Sequence, residues 1–306
     1  MGCSPSPEEI VAAHMAGAVP ERSDEIRALW IRYHPEVIVA QDAKHITLNA
    51  TKDRIKFDAK TMDVFWLIGF SGWRAIECYS PHVTVSAVSG QTIERIIADD
   101  EGLAEIEFAY KERRAAAQSL IDATDQATAP WPPDLPRPNS SRDAACDPQY
   151  KAAFDLTCLA VAFTLFHEFR HVMLDRDEQR PQDLREEELA CDVWAREFMT
   201  AKLAAYAQYH GHDYHEVLRK RSMGFALAAL ILHEITPVWD HGGNNAYFSV
   251  GTRLQTIIEN TPLPDDDHFW VLAASLLIGI FRQKGQSISA PPTKPRSLTR
   301  HLLAGL

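Results

Sequence analysis

The sequence predicts an α+β fold, predominantly α, and three observations carry that reading. Between Ala152 and Phe166 the only charged residue is Asp155; the rest, including Phe154, Leu156, Leu159, Val161, Phe163 and Leu165, is apolar or small. A segment apolar on every face and longer than a strand is a helix buried in a core. Several other segments, spread from residue 62 to residue 283, also read as helices. Near the N-terminus, residues 37–39, 46–48 and 54–57 are short β-prone runs separated by polar turns such as 41–44. They predict a small antiparallel sheet.

Taken in order, residues 1–22 are small, polar and Pro-containing, and read as a weakly ordered tail leading into a short helix. After the strands, residues 62–79 form a helix carrying Phe65, Trp66, Ile68, Phe70, Trp73 and Ile76, with Gly69 and Gly72 allowing a neighbour to approach closely. A long, partly solvated helix covers 101–125. Residues 130–138, with five prolines, exclude helix and central strand alike. This connector is the clearest internal boundary, so the chain divides into 1–125, a connector at 126–148, and a helical part at 149–306. Further helices are expected over 181–209, 213–234, 247–260 and 267–283, with loop at 284–295 and a short terminal segment.

The formal net charge of −11 over 306 residues argues against a nucleic-acid partner, since phosphate binding needs a basic face. Five scattered cysteines without C-x-x-C spacing suggest reduced thiols and a cytoplasmic setting. The N-terminus lacks a basic start and an apolar core, so no secretory signal is expected. The most apolar runs, 158–166, 224–232 and 269–281, are too short to span a bilayer. Gly2 and Cys3 fit a lipidation pattern, but loosely, and it reads as chance.

Inside the apolar helix the sequence turns abruptly to His167-Glu168-Phe169-Arg170-His171. Burying such groups is costly unless something binds them, and a divalent metal is the usual solution. Residues i and i+4 share a helix face, so His167 and His171 can direct two imidazoles at one ion. This is the H-E-x-x-H zinc pattern, with Glu168 as general base.

A hydrolytic zinc needs three protein ligands and an open position for water. Asp177, six residues after His171, would need a glycine where Leu174 stands and is rejected. The next helix has an apolar stripe at 184, 191, 195 and 198, with Glu188 at its middle and Asp192 one turn along. Glu187 falls at the edge of that stripe. Glu188 is therefore expected as third ligand, with Asp192 accepting the free N–H of a zinc-bound histidine. His241, Tyr247 and Arg253 are unranked candidates to hold the developing oxyanion. The segment His210-Gly211-His212-Asp213-Tyr214-His215 reads as a solvated turn, with Gly211 ending one helix and Asp213 capping the next.

These residues resemble the phage-exclusion peptidases typified by Lit, within the wider gluzincin-like group. The likeness rests on His167–His171, on Glu188-Leu189-Ala190-Cys191-Asp192, and on Trp131-Pro132. The helix near 63–80 with Trp66, Trp73 and Tyr79, Asn245-Ala246-Tyr247 and Arg253 add to it. It spans roughly residues 60–260. The resemblance implies a zincin-like zinc endopeptidase with His167, His171 and Glu188 as ligands and Glu168 as catalyst. It also implies the elongation factor EF-Tu as target in phage-exclusion or abortive-infection defence. Phe248 stands where related peptidases often have proline, and the first sixty residues look unrelated. Two other readings are a latent toxin awaiting a phage-derived activator and a non-catalytic helical protein that binds a partner or holds a structural zinc. In the latter, His233 or His241 would close the metal site as fourth ligand.

Overall fold

A computed structural model describes residues 5–40, 46–138, 141–144, 146–291 and 293–306. The lipidation pattern at Gly2 and Cys3 and the turn at 41–44 lie outside the described residues. Helix α1 (Pro7–Ala18) opens on a capping box: Ser6 Oγ accepts from Glu9 N–H at 3.3 Å, and the Glu9 carboxylate accepts from Ser6 N–H at 2.8 Å. The short helix expected within 1–22 is thus present and packed, and it begins as early as Pro7. Its buried stripe is Val11, Met15 and Val19, at i, i+4 and i+8; the small residues between them dilute that signal in the sequence. Helix α2 (Ser23–Tyr33) follows and ends on His34, at φ 40°.

Among the described residues there is one sheet of three strands, β1 (Glu36–Ala40), β2 (Leu48–Thr51) and β3 (Arg54–Asp58), in the order β1-β3-β2. It is mixed, where the sequence suggested purely antiparallel pairing. β2 and β3 form a tight hairpin with Thr51 opposite Arg54, whereas β1 runs parallel to β3 with Val37 opposite Ile55. Parallel neighbours cannot be joined by a tight turn, and β2 lies between β1 and β3 in the sequence. With β3 in the middle, β2 is an outer strand, as is β1. Asp58 N–H bonds Thr47 O at 3.1 Å, and the alternation of an antiparallel ladder then turns the backbone groups of Leu48 and Ala50 away from β3.

The remainder, as the class expected, is helical: α3 (Thr61–Ser89), α4 (Ile93–Ala98), α5 (Leu103–Asp122), α6 (Pro148–Arg176), α7 (Leu184–Thr200), α8 (Leu203–His210), α9 (Tyr214–Ile235), α10 (Val250–Glu259), α11 (Phe269–Gln283) and α12 (Pro295–Leu303). α3 continues through Pro81, ten residues past the expected end. The single helix expected over 181–209 is broken. Thr200 Oγ1 donates back to Arg196 O at 2.9 Å, a bond that competes with the helical ladder, and α8 starts afresh at Leu203. The terminal segment is α12, anchored by buried Leu298, Leu302 and Leu303.

α6 is the axis of this arrangement. Asp147 caps it, accepting from Gln149 N–H, and Pro148 occupies the first turn. By length and hydropathy it could cross a membrane, but its apolar window is mostly buried inside the protein. Two glycines let neighbours close on it. A Cβ on Gly69 of α3 would lie 2.4 Å from Thr157 Oγ1, and one on Gly224 of α9 would lie 2.5 Å from Leu159 Cβ. The Pro-rich stretch packs back on α3 through buried Leu135 and the bond from Trp66 Nε1 to Pro136 O at 2.8 Å. One hydrophobic cluster runs from Val11 to Leu303.

Candidate metal centre

The C-terminal half of α6 carries His167 and His171 one turn apart, each 6% exposed, with their Nε2 atoms 3.1 Å from each other. α7 crosses beside them and presents Glu188. Its Oε2 lies 3.3 Å from His167 Nε2 and its Oε1 3.3 Å from His171 Nε2. A tetrahedral ion bound at about 2.0–2.1 Å sets neighbouring ligand atoms about 3.3 Å apart, so the spacing of this trio fits one ion. Among the described residues it is the one group of three or more His, Cys, Asp or Glu side chains that could hold a metal. Neither His233 nor His241 joins it as a fourth ligand.

The surrounding charges favour a cation. Burial alone would lower the His167 pKa, but the carboxylate charge of Asp192 and the Glu188 contact outweigh it and push it up to about 10. Burial would raise Glu188, yet the two histidines and Arg253 hold its carboxyl well below the usual range. Glu168, 8% exposed and facing the same cleft, is raised to about 7 by burial, against the lowering pull of the histidines.

Behind the trio lies a row of buried charges. Asp192 Oδ1 is 2.8 Å from His167 Nδ1, but off the line of the ring N–H, so this is a charge contact and not a directed hydrogen bond. Asp192 spends its better geometry on Arg253 of α10, which donates from Nε to Oδ2 at 3.0 Å and from Nη2 to Oδ1 at 2.9 Å. Arg253 Nη1 also lies 3.3 Å from Glu188 Oε2. Breaking a buried pair of this kind costs about 3–5 kcal/mol. Arg253→Met is therefore expected to lower unfolding stability by that amount in urea with chelator present, while Arg253→Met/Asp192→Leu loses clearly less. Equal stability of Arg253→Met and wild type would contradict the pairing.

The sequence-derived residues are distributed unevenly. Tyr247, half exposed, lines the cleft, and burial together with the nearby Glu188 and Glu168 carboxylates raises its pKa and keeps the phenol protonated. Arg253 has most of its donors committed to Asp192 and Glu188. His241 is turned into its own loop, donating from Nε2 to Thr236 O at 2.9 Å. Asp177 is held by Tyr33 Oη at 2.6 Å and by Arg32 at the end of α6. In the 210–215 turn Gly211 sits at φ 67° and Asp213 accepts from Glu216 N–H, as expected. Burial pushes the Cys158 thiol up to about 12, and Cys191 is raised too, which disfavours thiolate chemistry.

Glu187 is the residue that sequence reasoning missed. Read as the edge of a stripe, it is 1% exposed, while Leu184, read as the start of that stripe, is 51% exposed. The buried line of α7 runs through 187, 191, 195 and 198, rotated from the expected one. The available signal was the spacing of 187 from 191 and 195. The cleft in front of the trio holds about 420 Å³. Leu48 and Ala50 of β2, Phe163, Ile231 and Ile235 form its walls, with Tyr247 at one side.

Fold and site thus define a mainly helical α+β protein with a His-His-Glu trio that could hold a metal ion and a buried glutamate lining the same cleft. The family model described as Peptidase U49 matches residues 55–273, and the chain belongs to that Lit-type peptidase family. No curated protein and no solved structure matches the chain.

Proposed function

We propose that the protein is a zinc-dependent endopeptidase of gluzincin-like type, with His167, His171 and Glu188 as the zinc ligands. The observation that carries this reading is the trio at tetrahedral-edge spacing with Glu168 beside it, in a cleft walled by the outer strand β2. A zinc ion held there supplies a Lewis acid for the scissile carbonyl and lowers the pKa of the attacking water. Glu168 takes the proton from that water and delivers it to the leaving amine. Tyr247 donates its phenol hydrogen to the developing oxyanion. Arg253 keeps Glu188 and Asp192 ionised and in place. Leu48 and Ala50 offer outward backbone groups to an extended substrate segment, which favours a polypeptide over a small ester or amide.

Membership of the Lit-type family supports EF-Tu as the first protein substrate to try, in a phage-exclusion setting. The four cysteines among the described residues are unpaired, in keeping with a reducing cytoplasmic environment. The test is to load the protein with zinc, incubate it with EF-Tu and with reduced, unfolded casein, and map new N-termini by mass spectrometry. Discrete new termini, abolished by a chelator and restored by zinc, are expected with at least one of the two. Cleavage that survives complete metal removal would sink the proposal.

A further inference from the structure

The two histidines of the trio are supported from behind by different carboxylates, and the two supports are unequal. Asp192 stands near His167 but is gripped by Arg253 and misses the direction of the ring N–H. Glu187 is different. Its Oε1 accepts from His171 Nδ1 at 2.6 Å, within a group 1% exposed, and the same oxygen accepts from Arg180 Nε at 3.0 Å. Its other oxygen is buried and has no hydrogen-bond partner among the described residues. An orphaned buried carboxylate oxygen is costly, and the cost is tolerated here with the partnered oxygen locked on a histidine of the metal trio.

We infer that Glu187 is the principal positioning residue of the metal centre, fixing His171 in the tautomer and ring orientation that leave Nε2 free for the ion, with Arg180 bracing it from the cleft wall. Resting on the metal-centre reading above, this assignment transfers to Glu187 the orienting role that sequence pattern gave to Asp192. The geometry supplies the reason. A ring nitrogen that donates to a carboxylate cannot also ligate, so the Glu187 bond commits His171 Nδ1 to the proton and Nε2 to the metal. Arg180 lies on the wall of the cleft and is 41% exposed at its side chain. It is the solvent-facing member of the line Arg180–Glu187–His171.

The experiment compares Glu187→Leu, Glu187→Gln and Asp192→Asn with wild type. Zinc affinity is measured by competition with a chromophoric chelator, and coordination by the visible absorption spectrum after cobalt(II) substitution. Glu187→Leu removes the acceptor and is expected to weaken zinc binding by about 10- to 100-fold and to alter the cobalt spectrum. Glu187→Gln keeps a neutral acceptor and recovers part of that loss. Asp192→Asn falls below Glu187→Leu in effect. Metal-free melting of Glu187→Gln stays near wild type, which separates positioning of the metal ligand from a general structural role. Wild-type affinity and cobalt spectrum in Glu187→Leu overturn the assignment alone. A wild type that binds neither zinc nor cobalt overturns the metal centre, and this assignment with it.

Discussion

Glu168→Gln is expected to retain its zinc and lose peptide hydrolysis by about 10²- to 10⁴-fold, the range that a positioned general base contributes. The glutamine preserves the size and burial of the side chain, so the trio behind it is undisturbed. What it cannot do is accept a proton from the attacking water. Full cleavage by zinc-loaded Glu168→Gln would eliminate the mechanism, whereas loss of both zinc and cleavage would show only that the variant damages the site. The same residue sets a pH signature. Its pKa is raised to about 7 by burial, and a nearby dication favours the ionised form and draws it down. Because the base must be ionised, kcat/KM of the zinc enzyme is expected to rise with pH along an acid limb centred below about 7. An acid limb centred above pH 8 would point to another base.

Glu188→Ala is expected to abolish stable metal binding, measured as zinc per chain after gel filtration. Two imidazoles alone do not make the three-ligand site, and the substitution also leaves His167, His171 and Arg253 without the carboxylate that lies 3.3 Å from each of them. Zinc that binds the folded chain and not the unfolded one stabilises it by RT ln(1 + [L]/Kd), about 2.7 kcal/mol at a hundredfold excess over Kd. Wild type should therefore melt several degrees higher with zinc than with chelator, and Glu188→Ala should melt at the same temperature in both. A variant that still holds one zinc per chain and still responds to chelator would remove Glu188 from the ligand set.

Much of this centre is local in origin, and that part was legible in the sequence. The i, i+4 spacing of His167 and His171 fixes them on one face of a helix whatever surrounds it. The apolar run before them fixes that helix in the core. Glu188 could be singled out because an acidic residue near an apolar stripe is anomalous, and the structure does bring it to the two histidines. The predominance of helix followed from the same periodicities.

The tertiary structure decided the rest, because the rotation of one element against another is not a local quantity. Glu187 and Glu188 are neighbours about 100° apart on α7. Only the packing of α7 across α6 sends one behind His171 and the other between both rings. The grip of Arg253 on Asp192 joins residues 61 apart in sequence, and no spacing rule reaches that far. The parallel placement of β1 depends on a crossover, not on the residues of β1, which would suit either direction. β3 sits between the other two strands, and of the two outer strands it is β2 that lines the cleft. The sequence by itself determined which helix carries the paired histidines; how two helices and a sheet edge meet around them was settled by packing over the whole core.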